Sequence, residues 1–367
     1  MTENTMLTYL QMRGDLSFRQ VPFQELDAMI LTQLSYLSFE NLIPTYSNVN
    51  ELCKKSFFKL PTLKEVSHSF TASDHPADVP SDPRLQVLSL AGQSKRFGDI
   101  RMDGYINDID YIEQKQFSAI TFRLNPFHSF IAFRGTDGEL NSWRENFNML
   151  YLFPIPAQRD SCKYFEVMAK GFLQKSDLAG HSKGGNLALY AALFSQDSAA
   201  ACLNHIYTFD APGFLEDYSS HARCQKLKGR IHAFLPQASI IGRLMCSPVT
   251  PTIIESSGTG VNQHSMFTWH TTNNAFCKMD SFDSFSEDMS GQIKAWLDRL
   301  PFESRQQNIE DFFTLLDSQG IKTFDDFTHM DFRKLLGLSW KATSLSKENK
   351  ELLILIFRNL FPDPFHR

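Results

Sequence analysis

The chain has 367 residues, 42% of them hydrophobic and 21% charged, with a formal net charge of −5. That length buries a full core and accommodates two or three domains, or one large α/β domain with appendages. The acidic balance argues against nucleic acid as the main partner, and 33 phenylalanines suit a wide apolar core.

The first residues, MTENTMLTYLQMRGD, lack the basic and then apolar order of a signal peptide. From 5 to 40, apolar residues such as Leu26, Met29, Ile30, Leu34 and Leu37 fall at helical spacing, with Pro22 as a start signal. Residues 66 to 84 hold three prolines in a polar setting and read as a surface loop. A helix near Leu85 to Ala91 follows. Gln116 to Leu124 and Ser129 to Phe133 are β-branched and aromatic runs flanking Asn125-Pro126, a hairpin pattern. Asn141 to Phe147 is polar around one large anchor, Trp143. A helix is expected around Asp160 to Lys170. His205 to Phe209, Arg230 to Leu235 and Thr252 to Glu255 read as further strands. Strands alternating with helical patterns imply an α/β fold, a mostly parallel sheet wrapped by helices.

Beyond Pro301 the character changes. IEDFFTLL, TFDDFTHMDFRKLL and SKENKELLILIFRNLF are three amphipathic patterns, with capping signals at Thr323 and Ser346. The expected division is a hydrolase-like unit over 1–300, N-terminal helices included, and a C-terminal helical subdomain over 301–367. The longest apolar run there, LLILIF, is far short of the roughly 20 residues a membrane helix needs. The six cysteines show no C-x-x-C spacing, so free thiols and no metal site are expected, in a soluble cytoplasmic protein.

The chemistry centres on Gly180-His181-Ser182-Lys183-Gly184. This is the G-x-S-x-G pattern of a nucleophile elbow, which sets a serine on a tight strand-to-helix turn. A side chain at Gly180 or Gly184 would clash where strand and helix approach. The Ala- and Leu-rich run to Leu193 forms the helix, whose first N–H groups face an oxyanion beside Ser182.

Such a serine needs a base, a carboxylate to orient it, and N–H donors for the oxyanion. Of the seven histidines after Ser182, His264 sits on a Gly-rich loop past the last expected strand and is the candidate base. Asp210 ends a strand and is the candidate acid; capping of its own D-A-P-G turn is the competing reading. Glu255 and Asp217 are the fallback carboxylates. The N–H of Lys183 and that of Thr136, after the strand ending in Phe-Arg-Gly, are the candidate oxyanion donors, with the Thr136 hydroxyl as a third. The Lys183 side chain reads as a solvated first-turn lysine, with attraction of an anionic substrate as the alternative. Gly138 to Pro156 reads as a lid or pocket wall.

FRGTD at Phe133 to Asp137, SWRENFNM at Ser142 to Met149, GHSKGGNLALYAA at Gly180 to Ala192, FDAPGF at Phe209 to Phe214 and NQHSMFTW at Asn262 to Trp269 together resemble the bacterial Mbeg-like family. That family is a branch of α/β-hydrolases of unknown function, akin to class 3 lipases. The likeness runs from about Met6 to about residue 300. It implies an α/β-hydrolase fold and a triad with Ser182 as nucleophile and His264 as base, without a cofactor. One departure stands out. Class 3 lipases usually carry the acid after the next strand, where this chain reads FLPQASIIG and offers Gln237 and Ser239 instead.

The expected function is hydrolysis of a carboxylic ester, an acyl lipid or similar small apolar ester, through an acyl-enzyme. Two alternatives stay open. The same serine would serve an acyltransferase, or the fold is a weak or inactive hydrolase used as a binding or regulatory module, its C-terminal helices docking a protein partner.

Overall fold

The computed structural model describes residues 4–54, 59–70, 82–136, 140–169 and 174–323, together with 326, 347, 350 and 351. Among them, nine strands form one sheet in the order in which the chain reaches them. They are β1 (Thr45–Tyr46), β2 (Arg101–Asp110), β3 (Lys115–Asn125), β4 (His128–Phe133), β5 (Lys175–His181), β6 (Leu203–Phe209), β7 (Ile231–Pro236), β8 (Thr252–Ile254) and β9 (Lys278–Met279). The run from β4 to β8 is parallel. The expected hairpin is β3–β4, paired antiparallel, and β2 and β9 are antiparallel to β3 and β8.

The helices are α1 (Met6–Arg13), α2 (Glu25–Leu34), α3 (Val49–Leu52), α4 (Leu63–Ser69), α5 (Pro83–Gln93), α6 (Leu140–Asn148), α7 (Pro156–Met168), α8 (Lys183–Phe194), α9 (Asp197–Ala200), α10 (Ala222–Leu227), α11 (Ser284–Arg299) and α12 (Phe302–Ser318). Right-handed crossovers that always step to the next position must all pass over the same face. That face carries α7 and α8, whose Tyr164, Phe165, Leu187 and Ala191 pack on Phe117, Ile131, Phe133 and Leu178. A parallel sheet is apolar on both faces, so something else must cover the other one. The N-terminal helices do. Leu26, Met29 and Ile30 of α2 join Val87 and Leu88 of α5 against Phe122, Phe130, Ala132 and Ala179. Strand residues alternate between the two cores, 130 and 132 to one and 131 and 133 to the other.

Several elements escape sequence patterning. β2 reads RMDGYINDID, too polar to look like a strand. Its Asp103 is buried and paired with Arg123 at 3.2 Å, and Gly104 adopts φ +67° where a Cβ would stand 2.9 Å from Tyr164 Oη. The expected loop over 66–84 begins inside α4, which starts at a Thr62–Glu65 capping box; residues 71–81 lie outside the described ones. The polar strand β5 is satisfied within the fold. Asp177 accepts from the His128 ring, Asn204 Nδ2 and the His205 N–H.

Helix α12 contains the first of the three C-terminal patterns. It packs on α6, with Phe147 stacked 5.8 Å from Phe312 and edge-on to Phe313 at 5.4 Å. Thr323 caps as expected, accepting from the Asp326 N–H while Asp326 accepts from the Thr323 N–H. Ser346 and most of the last two helical patterns lie outside the described residues. No described helix is long and apolar enough to cross a membrane. The cysteines are free thiols.

Candidate active site

The parallel strands end together on one side of the sheet, where open α/β sheets place their ligands. Ser182 lies between β5 and α8 with φ 57° and ψ −132°, strained geometry for a residue with a Cβ. Three glycines make this turn possible. A Cβ on Gly180 would stand 2.1 Å from the Gly184 carbonyl, and one on Gly184 would stand 2.1 Å from the Phe133 carbonyl. One on Gly185 would meet Ala211 Cβ at 2.5 Å. The turn at Ser182 is therefore wedged between the ends of β4 and β6.

Asp210, directly after β6, is buried and also strained, at φ 42°. Its Oδ2 lies 2.6 Å from His264 Nδ1. With the carboxylate as acceptor, Nδ1 carries the proton and Nε2 keeps a lone pair. The His264 side chain, at the end of a 3₁₀ turn over Gly260–His264, is 29% exposed, whereas that of Asp210 is 1%. The other Asp210 oxygen accepts from Ser239 Oγ at 2.5 Å and from the Gly242 N–H at 3.1 Å. The segment after β7 thus holds no acid of its own. It supplies two donors, Ser239 Oγ and the Gly242 N–H, to a carboxylate from the neighbouring strand end. Gln237 is used elsewhere, bridging to Ser256 through both ends of its amide. The fallback carboxylates do not reach His264: Asp217 is exposed and caps Ser219, and Glu255 pairs with His270 at 3.5 Å.

The Lys183 side chain overturns its reading. It is fully buried, with Nζ 2.5 Å from Glu145 Oε2 and 2.7 Å from both the backbone oxygen and Oε1 of Gln116. An ammonium ion sealed from water demands a counter-charge and acceptors, and α6 and β3 provide them. It is neither solvated nor presented to a substrate. As the first residue of α8, Lys183 has a backbone N–H without an intrahelical acceptor. Thr136 follows Gly135, where a Cβ would stand 3.2 Å from Ser182 Cβ. The Thr136 hydroxyl is engaged by the Asn146 amide, 2.9 Å from Oδ1 and 2.7 Å from Nδ2. Asp137 and the start of the expected lid, with Gly138, lie outside the described residues; the rest of that lid is anchored, with Ser142 and Glu145 fully buried.

Sequence reasoning missed His181. Its Nδ1 lies 2.8 Å from Tyr36 Oη and its Nε2 lies 2.8 Å from the His264 carbonyl oxygen. These partners assign the proton to Nε2, which donates to the carbonyl, while Nδ1 accepts from the tyrosine. Burial, reinforced by His264, holds the His181 pKa well below the ordinary histidine value, so the ring stays neutral. Its centroid lies 4.3 Å from that of His264. Both ring nitrogens are occupied, and the residue fixes the backbone of its neighbour. The only available signal was adjacency to the elbow serine. Tyr36, from the turn after α2, carried none.

Among the described residues, no group of three or more His, Cys, Asp or Glu side chains is arranged to hold a metal ion.

A family model described as Mbeg1-like matches residues 91–314, more than half of the chain. The chain belongs to the Mbeg1-like family. Within this Mbeg1-like chain the match takes in Ser182, Asp210, His264 and most of α12, and begins after α1, α2, α3 and α4. No curated protein matches the sequence. Among solved structures, the crystal structure of M37 lipase is similar at 12% identity, covering 60% of this chain and 70% of that one, with a TM-score of 0.32. That likeness is too loose to carry an argument. The nine-stranded, largely parallel sheet with helices on both faces is an α/β architecture.

Proposed function

We propose that the protein is a serine hydrolase cleaving a carboxylic ester, an acyl lipid or a similar apolar ester. The observation that carries this is the 2.6 Å contact between His264 Nδ1 and Asp210 Oδ2, beside a serine held at φ 57° on the elbow. Ser182 Oγ attacks the ester carbonyl while His264 Nε2 takes its proton. The N–H groups of Lys183 and Thr136 hold the oxyanion. Collapse expels the alcohol, which receives the proton from His264. Water, deprotonated by the same nitrogen, then hydrolyses the acyl-enzyme and frees Ser182. Asp210 keeps the imidazole in the required tautomer throughout. The division at residue 300 into a hydrolase unit and a helical appendage belongs to the same proposal.

The rival reading, a hydrolase fold kept as a binding module, drew on the lack of a carboxylate after Phe234. The contact of Asp210 with His264 answers that lack from the adjacent strand end. An acyltransferase would use the same groups with an acceptor other than water, and product analysis with a labelled acceptor separates the two.

Ser182→Ala should abolish both hydrolysis of a short p-nitrophenyl ester and labelling by a fluorophosphonate probe. Labelling that survives the substitution would sink the proposal.

A further inference from the structure

Four consecutive residues of α6 make three different connections. At about 100° per residue, such a stretch points around the whole circumference of a helix. Arg144 reaches α12, pairing with Asp317 at 3.1 Å and covering the Phe313 ring at 5.2 Å. Phe147, one turn on, joins the same contact through Phe312 and Phe313. Glu145 points the opposite way. Its Oε2 accepts from Lys183 Nζ and from the Gln116 N–H at 3.0 Å, and its Oε1 accepts from the Ala157 N–H at 3.2 Å. Asn146 engages the Thr136 hydroxyl through both ends of its amide.

The two residues seized by Glu145 and Asn146 are the two whose N–H groups the proposed mechanism uses for the oxyanion. From this, and resting on that mechanism, we infer that α6 sets the oxyanion site. Glu145 and Asn146 are positioning residues for Lys183 and Thr136, and α12 holds α6 in register from the outside. The donors sit on separate segments, one after β4 and one at the start of α8, so their spacing is not fixed by either segment alone. A single rigid helix gripping both through adjacent side chains fixes it. Preorganised donors are what makes an oxyanion site effective, and removing one costs about 10²–10³ in kcat. Displacing one costs less but falls on the same quantity.

The test uses the full chain. Asn146→Ala, Glu145→Gln and the double variant Phe312→Ala/Phe313→Ala are compared with the parent for ester hydrolysis. The full chain with 15N-labelled Thr and Lys reports the amide resonances of Thr136 and Lys183. The expected result is a fall in kcat of about tenfold or more in Asn146→Ala, with KM within about twofold, and a smaller fall of the same kind in the α12 variant. The midpoint of the pH profile of kcat/KM stays in place, and the Thr136 resonance moves. A merely structural loosening would instead lower Tm and shift KM and the pH profile together, and that outcome overturns the inference. So do unmoved amide resonances and unmoved kcat in Asn146→Ala and in the α12 variant, which keep the test decisive if Glu145→Gln does not fold. If the parent neither hydrolyses esters nor reacts with a fluorophosphonate, the hydrolase reading fails. The amide resonances still decide whether α6 sets the two donors.

Discussion

Two pairings of a carboxylate with a nitrogen base flank Ser182, and they differ in their access to water. In the first, His264 rests on Asp210 with 29% of its side chain exposed. In the second, Lys183 rests on Glu145 and neither side chain has any exposure. The ingredients are alike and the consequences are opposite. The proposed mechanism has His264 exchange protons with a substrate, which needs an open edge, and its side chain is the partly exposed one. A sealed ion pair exchanges nothing and serves as a strut, with its Coulomb attraction undiluted by solvent but its desolvation already spent. Charge near a serine is therefore no guide to chemistry until its exposure is known.

Three changes would break or sharpen that contrast. The largest effect is expected from the open pair. Asp210→Asn removes the acceptor that selects the His264 tautomer, and kcat for ester hydrolysis should fall about 10³–10⁴-fold with the fold intact. A loss of less than tenfold would mean that another group orients the imidazole. The sealed pair should answer in stability. Lys183→Met strands a buried carboxylate and should cost about 3–5 kcal/mol, measured by urea unfolding, while Lys183→Met/Glu145→Leu should recover most of the loss. A single variant as stable as the parent would show the pair to be dispensable.

The smallest effect concerns His181, whose ring packs against His264. In the unfolded chain it takes up a proton near its ordinary pKa of about 6.5, whereas in the fold it stays neutral to lower pH. The unfolded state thus binds more protons in that window. Its contribution to stability is complete above about pH 6.5 and declines as the pH drops, by at most about 1.4 kcal/mol per pH unit. His181→Gln should flatten that part of the stability–pH curve relative to the parent. An unchanged slope would assign it to other groups, with His232, also lowered by burial, the first to examine.

How much of this was readable in the sequence depended on whether the signal was local. The tight turn at Ser182 was, because Gly180 answers to Gly184 four residues on, although Gly184 and Gly185 answer to Phe133 and Ala211, which only the fold brings there. The parallel strands and the Leu26 to Leu37 pattern were readable for the same reason. Asp210 emerged as a strand-end acid, but its competition with the role of a turn cap was undecided, since the partner that decides it is 54 residues away. Lys183 was misread because an isolated lysine in a first helical turn defaults to solvent, and Glu145 announces itself only once α6 is folded onto the elbow. β2 stayed hidden because Asp103 looks solvated until Arg123 is placed beside it.

The winding of the sheet reaches beyond the site. Because the crossovers from β4 to β8 lie over one face, the matched stretch 91–314 buries its second face only in part, through Met266, Trp269 and Phe276, and the preceding helices cover the rest. Arg96 makes the debt specific. It lies within that stretch, is buried, and finds its carboxylate, Asp27, on α2, with backbone oxygens of Leu16, Val21 and Pro22 as further acceptors. Expressed from residue 91, the sheet would carry an apolar wall open to water and a guanidinium with none of these partners. The first ninety residues are accordingly part of the folding unit, and a segment of 6–54 supplied as a separate chain should be able to dock where it now packs.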